Sequence, residues 1–405
     1  MEAGWALDWD ARTLSARRDE LYEARLSHLR AEMIARDVPV LLLRDPNNIF
    51  YATGARNMMI FGMRSPSRYL VLFAEGPVIL YDFRGSEHLA TSLPTITEIR
   101  TAEGLHLLSS GGQPEAACAR FAAAIRADLA ATDPSLDRVA IDSFPWRAVD
   151  ALRADGMTIT DADEVLLPVR TVKHPLEIPY LREAMRRVDA GVHALEENTD
   201  PGLSEAEVWA HFHFQLMAKE GQYASTRLFQ SGPNTYPYFQ ECGGRLLEKG
   251  DLLCLDTDAV GYEGYCVDYS RTFLAGDDKA TDDQRLLYGR AREQLEHNAA
   301  LLRPHMEYRE LAEKAWRVPE EHQKSRYYCI GHGLGMAGEW PNIPHWEDDG
   351  DYPLDGRLEP GMVICLESYI GWDRSAEGVK LEDQFLVHED RVERMSAYHF
   401  DERLG

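Results

Sequence analysis

Leu252-Leu253-Cys254-Leu255-Asp256-Thr257-Asp258 runs from an apolar, strand-like stretch straight into two acids. After Gly261 and Gly264 the chain returns as Tyr265-Cys266-Val267-Asp268-Tyr269-Ser270-Arg271-Thr272-Phe273, with a third acid in its middle. A carboxylate among aliphatic neighbours is costly to desolvate unless a cation meets it. Strand alternation puts Asp256 and Asp258 on one face. The two runs therefore read as a hairpin that presents Asp256, Asp258 and Asp268 to one point.

Three further polar groups interrupt apolar segments downstream. His332 lies in Gly331-His332-Gly333-Leu334-Gly335, Glu367 ends Met362-Val363-Ile364-Cys365-Leu366, and Glu382 sits in Val379-Lys380-Leu381-Glu382-Asp383-Gln384. Five carboxylates and one imidazole could hold two divalent transition-metal ions (Fe, Mn, Co or Zn), some carboxylates bridging. A structural zinc prefers Cys and His, and calcium or magnesium prefers oxygen alone. Asp383 follows Glu382 and points to the opposite face of a strand, so it reads as a salt-bridge or surface group.

In this order and context, Asp, Asp, His, Glu and Glu resemble the creatinase/aminopeptidase P/methionine aminopeptidase superfamily, the pita-bread metalloenzymes. Glu359-Pro360-Gly361-Met362-Val363 and Lys380-Leu381-Glu382-Asp383 look like that superfamily's surroundings for the last two ligands. Val169-Arg170-Thr171-Val172-Lys173-His174-Pro175 looks like its entry into the catalytic domain. The resemblance spans the chain. It implies an α+β protein: a small N-terminal creatinase-like α/β domain, 1–165, followed by a pita-bread catalytic domain, 166–405. It also implies a homodimer, in which a loop of the small domain closes the partner's site.

The chain departs from the peptidase members at their working residues. Thr257 stands where they carry an aspartate, Glu339 and Trp340 where they carry His and Glu, and Ser231–Phe239 lacks their further histidine. Those histidines orient a peptide and stabilise its tetrahedral intermediate, so their absence argues against peptide hydrolysis. The dimethylsulfoniopropionate lyase branch is similar instead, through the acids around Thr257, Phe239-Gln240-Glu241-Cys242-Gly243 and Glu339-Trp340-Pro341. That resemblance implies metal ligands Asp256, Asp258, Asp268, His332, Glu367 and Glu382, and an active-site tyrosine at Tyr327. The branch's catalytic aspartate is replaced by Gly338, leaving Tyr327 as phenolate, Glu339 or a metal-bound hydroxide as candidate bases. The implied reaction is β-elimination from a small onium carboxylate. A metallo-hydrolase of the Xaa-Pro peptidase or creatinase type is the alternative, and a non-catalytic binding protein would not need buried acids.

The segment around Tyr223, Arg227, Tyr236, Tyr238 and Phe239 is rich in aromatics. Ordinary packing explains such a loop; a cage for an onium cation also does, because ring faces attract cations. Trp340 and Trp372 could add to it, and His345 with Trp346 could line the pocket. His211 and His213 share no helix face and read as structural.

The 405 residues suffice for two domains with full cores. A net charge of −25 disfavours nucleic acid and anionic membrane as partners. No apolar run is long enough to span a bilayer, and Met1–Asp10 lacks the basic and apolar parts of a signal peptide, so the expected compartment is the cytoplasm. Six scattered cysteines, several in apolar runs, read as buried thiols. Apolar periodicity predicts a helix over 13–36, strands at 38–43, 69–73, 78–82 and 139–142, and helices at 116–129 and 148–154. Asp45-Pro46-Asn47-Asn48 reads as a turn. A linker is expected at 166–176, then a helix to about 198. Ser204 with Glu207 reads as a capping box opening a helix to about 219, and another helix is expected over 282–302.

Overall fold

The computed structural model describes residues 8–348 and 354–405. The first seven residues, and with them most of the N-terminal stretch examined for a signal peptide, lie outside this range. The chain divides into two compact units: Ala11–Arg170, and Thr171–Gly405 together with the described residues 8–10. The division falls inside the expected linker, whose first part is the helix Asp163–Thr171.

The N-terminal unit is a six-stranded sheet with helices packed on it. Its strands are β1 (Val40–Leu43), β2 (Tyr69–Phe73), β3 (Val78–Asp82), β4 (Glu98–Thr101), β5 (Arg138–Ile141) and β6 (Thr158–Asp161), in the order β4-β3-β2-β1-β5-β6. Val40, Leu42, Val71 and Ile79 meet Phe121, Ile125 and Leu129 of the helix Pro114–Thr132 in one core. The expected first helix is interrupted at Arg17, whose φ and ψ of −112° and 15° break it into Ala11–Ala16 and Arg18–Ala35. Asp45-Pro46-Asn47-Asn48 begins a helix, Pro46–Thr53. The Asp45 carboxylate accepts from Asn47 N and Asn48 N, and Pro46 fills the first turn, where no amide hydrogen is needed.

The second unit opens with the helices Ile178–Glu196 and Glu205–Ala218, the latter capped by Ser204 and Glu207. Its strands are β7 (Tyr223–Ala224), β8 (Phe229–Ser231), β9 (Leu252–Asp256), β10 (Ala259–Val260), β11 (Cys266–Val267), β12 (Ser270–Leu274), β13 (Cys329–Leu334), β14 (Gly338–Pro344), β15 (Val363–Trp372), β16 (Glu377–Val387) and β17 (Val392–Arg394). The large sheet runs β14-β13-β15-β16-β12-β9-β8, with β17 also on β16; β11-β10-β7 form a small one. The helix Asp282–Leu301 covers one face of the large sheet, packing Leu287 and Leu295 on Ile364, Leu366, Leu381 and Phe385. The opposite face carries the acids.

The hairpin at Asp256 is less regular than strand alternation predicts. β9 ends at Asp256, and the chain then leaves the large sheet for the small one, returning at Ser270. Thr257 holds this crossing: its Oγ1 donates to Val267 O at 3.1 Å and accepts from Tyr269 N at 3.1 Å. All six cysteines are buried and free. Among the described residues no helix is long and apolar enough to cross a membrane.

Candidate metal centre

One rung of the large sheet organises the site. Asp256 on β9 stands opposite Ser270 on β12, Ser270 opposite Glu382 on β16, and Glu382 opposite Glu367 on β15. Directly opposed residues share a face, so three carboxylates and a hydroxyl project together. His332 on β13 pairs with Cys365 of β15. Its Nε2 lies 3.3 Å from Glu367 Oε1, 3.7 Å from Glu382 Oε1 and 3.8 Å from Asp268 Oδ2. Asp268 enters from the link between β11 and β12.

Asp258 does not reach the site by alternation with Asp256. It lies beyond the end of β9 in a left-handed turn, φ 37°, and its Oδ2 accepts from Thr226 Oγ1 at 2.5 Å. Burial, then the charge of Asp256, raises its carboxyl to about 6. Asp383 is not a surface group: it points to the opposite face, fully buried, and pairs with Arg271 Nη2 at 2.8 Å.

Two polar residues of the cluster escaped the sequence reading. Lys380, two residues before Glu382 and so on its face, places its Nζ 3.1 Å from Asp256 Oδ2, 2.7 Å from Glu367 Oε2 and 2.9 Å from Glu382 Oε2. Ser270 Oγ lies 2.9 Å from Asp256 Oδ1 and 2.8 Å from Glu382 Oε2. Strand alternation from Glu382 was the signal that could have found Lys380; Ser270 needed the register.

Like charges crowded in a dry site shift one another. Burial, then Glu382, pushes Asp268 well above the usual carboxylate range; burial, then Glu367, does the same to Glu382. Burial would also raise Asp256, but Lys380, Tyr238 and Ser270 outweigh it and hold that carboxyl low. Burial lowers His332, yet Glu367 and Glu382 outweigh it and lift the imidazole to about 9. Such a set calls for cations. Asp268 Oδ1 and Glu382 Oε1 are buried and accept no hydrogen bond, which suits atoms meant for metal. Two trios have ligand atoms within 4.8 Å of one another, Asp256–Asp268–Glu382 and His332–Cys365–Glu382. Both include Glu382.

Aromatic rings border the cluster. The Tyr238 hydroxyl donates to Asp256 Oδ2 at 2.5 Å. The Tyr327 ring lies 5.8 Å from that of Tyr238 and 5.5 Å from that of Phe239. Phe239 is 56% exposed, the outermost of the three. Three others of the expected cage have partners of their own. Tyr236 donates to Asp373 Oδ1 at 2.5 Å, Trp340 is half-exposed with its ring 6.3 Å from Tyr308, and Trp372 packs on His322. Tyr223 sits on β7 opposite Val260. His345 is buried, and its Nε2 donates to Tyr327 O at 3.0 Å, so it supports the tyrosine's backbone. Tyr328, beside Tyr327, is exposed, and His211 and His213 lie on exposed positions of their helix. Glu339 is engaged at the turn between β13 and β14, where its Oε1 accepts from Met336 N at 3.1 Å. A Cβ on Gly338 would meet nothing within 4 Å.

The model of metallopeptidase family M24 matches residues 179–389, and that of the creatinase/prolidase N-terminal domain matches residues 25–172. The dimethylsulfoniopropionate lyase DddP of Roseovarius nubinhibens is 33% identical over 387 residues, 94% of this chain and 87% of its own. The chain belongs to the M24 family. The M24 assignment makes it an enzyme of a family with dinuclear metal centres. DddP of Roseobacter denitrificans is also 33% identical, over 94% of this chain and 86% of its own. The Xaa-Pro dipeptidase of Pyrococcus furiosus is 28% identical over 58% of this chain and 65% of its own. Prolidase from Pyrococcus horikoshii superposes with a TM-score of 0.75 at 19% identity, covering 93% of this chain and 99% of that one, and so shares the fold.

Proposed function

We propose that this M24 member is a metal-dependent lyase that eliminates a neutral sulfide from a small onium carboxylate such as dimethylsulfoniopropionate. The observation that carries the reading is an acid-and-histidine cluster bordered by the rings of Tyr238, Phe239 and Tyr327. The likeness to the two DddP lyases over 94% of the chain supports it. The ligands we assign are Asp256, Asp258, Asp268, His332, Glu367 and Glu382. Two divalent ions held there would bind the substrate carboxylate and stabilise the negative charge that builds up at its α-carbon.

Tyr238, Phe239 and Tyr327 would hold the sulfonium by their ring faces. A base removes the α-proton, the electron pair of that C–H bond becomes the C=C bond, and the C–S pair leaves with sulfur. Dimethyl sulfide and acrylate result. Tyr327 is the base we assign. Burial, then Glu367, pushes its phenol far up in the metal-free protein; with Glu367 holding a cation, the second cause would be lost. A homodimer in the cytoplasm completes the reading. The exposed side chains of Met58, Ile60, Phe61 and Phe83 on the N-terminal unit offer an apolar surface for the second copy.

The test is headspace detection of dimethyl sulfide, with acrylate assayed alongside, on enzyme loaded separately with Fe, Mn, Co and Zn. Metal-dependent product, lost in Asp268→Ala and in Tyr327→Phe, is expected. No product with any metal, despite two ions bound per chain, would overturn the lyase and turn the search to small amides and Xaa-Pro dipeptides.

A further inference from the structure

We infer that Lys380 is a positioning residue: a built-in third cation that makes the site neutral with two divalent ions and holds its carboxylates in place when the ions leave. The inference rests on the ligand set proposed above and is independent of the lyase chemistry. Lys380 is fully buried, an uncommon place for an ammonium unless it is paired. Its Nζ lies within 3.1 Å of a carboxylate oxygen on each of Asp256, Glu367 and Glu382, and donates to Ser270 Oγ at 2.7 Å. The rings of Tyr327 and Tyr238 stand 4.8 Å and 5.5 Å away, leaving little room for water.

Asp256, Asp258, Asp268, Glu367 and Glu382 bring five negative charges into a dry site when ionised. Two divalent ions alone leave one unmatched, and uncompensated charge at low dielectric is strongly unfavourable. The ammonium of Lys380 closes the balance. The ammonium also repels the ions: it weakens metal binding somewhat, while tying the carboxylates of Asp256, Glu367 and Glu382 to one point in the metal-free protein.

Lys380→Met removes the charge at similar volume; Lys380→Arg keeps it. The wild type and both variants would be stripped with chelator, melted with and without Mn²⁺, and titrated calorimetrically with Mn²⁺. The expected Met variant melts much lower than wild type without metal, recovers most of the loss with Mn²⁺, and binds Mn²⁺ roughly tenfold more tightly. The Arg variant should track wild type in both. Equal loss of melting temperature with and without Mn²⁺, unchanged or weaker Mn²⁺ binding in the Met variant, or a Met variant that folds in neither condition would overturn the inference. A wild type that binds no Mn²⁺, Fe²⁺, Co²⁺ or Zn²⁺ would instead overturn the ligand set itself.

Discussion

Glu382 and Asp383 are successive residues on one strand, both fully buried, and they do opposite things. Asp383 faces Arg271, which pairs with it at 2.8 Å, and Ser396, which donates to it at 2.6 Å. Glu382 faces Glu367 across the rung and shares its surroundings with Asp256 and Asp268. One face of the sheet matches a carboxylate with a guanidinium and locks the fold. The other collects carboxylates in excess of the cations the chain supplies. Burial of an acid says little about its purpose; the surplus or balance of charge around it says a great deal.

Substitution on each face should separate these roles. Glu382→Gln is expected to cut activity by roughly a thousandfold and to reduce bound metal, while the metal-free protein unfolds at the same or higher urea concentration. Asp383→Asn should do the reverse. It strands the Arg271 charge and costs about 3–5 kcal/mol of stability, with metal content per folded chain unchanged. If Asp383→Asn strips the metal as fully as Glu382→Gln does, the two faces are not separable and the comparison breaks.

Gly338→Asp sharpens the open face. The position has room for a side chain, and an acid there supplies the carboxylate expected from the resemblance to the lyase branch. A gain in elimination rate of about a hundredfold is expected, because a carboxylate is ionised at neutral pH while burial, then Glu367, keeps the Tyr327 phenol protonated, read as dimethyl sulfide released per minute.

His345 supports that face from its rim. Burial, then Arg326, lowers its imidazole from 6.5 to about 4. The unfolded chain therefore takes up a proton below pH 6.5 that the folded chain refuses until about pH 4. Its stabilising share is present above pH 6.5 and lost as pH falls toward 4, about 2 kcal/mol by pH 5. His345→Gln should lose less stability than wild type between pH 7 and pH 5, measured as the shift in urea midpoint. The smallest effect expected is that of Phe239→Ala. Removing one exposed ring should raise KM for the onium substrate about threefold with kcat held.

The acids on the rung were legible because a charged residue inside an aliphatic run has few explanations. The same logic recovered His332. Asp258 was named as a ligand, but its route was misread: alternation holds only within a strand, and the chain leaves β9 at Asp256. Lys380 went unread because a lysine on a strand is usually an edge or surface residue, and only its register beside Glu382 says otherwise. Tyr236 joins the expected cage through its place in an aromatic segment, and Trp340 through its place after the glycine-rich histidine segment. Ring placement depends on loop path, which composition does not specify, and Tyr236 turns to Asp373 instead. Pro46 was read as a turn because the same residue both breaks strands and opens helices.

The rung across β9, β12, β16 and β15 has a mechanical consequence. Neighbouring strands are held about 4.8 Å apart by their hydrogen-bond ladder, so the spacing of the ligands on the rung is a property of the sheet and not of any loop. Such a ruler cannot stretch locally. Amide protons along Glu367 and Glu382 should be among the last to exchange with solvent, and captured ions should escape on the timescale of sheet opening, far more slowly than from a site strung on flexible chain.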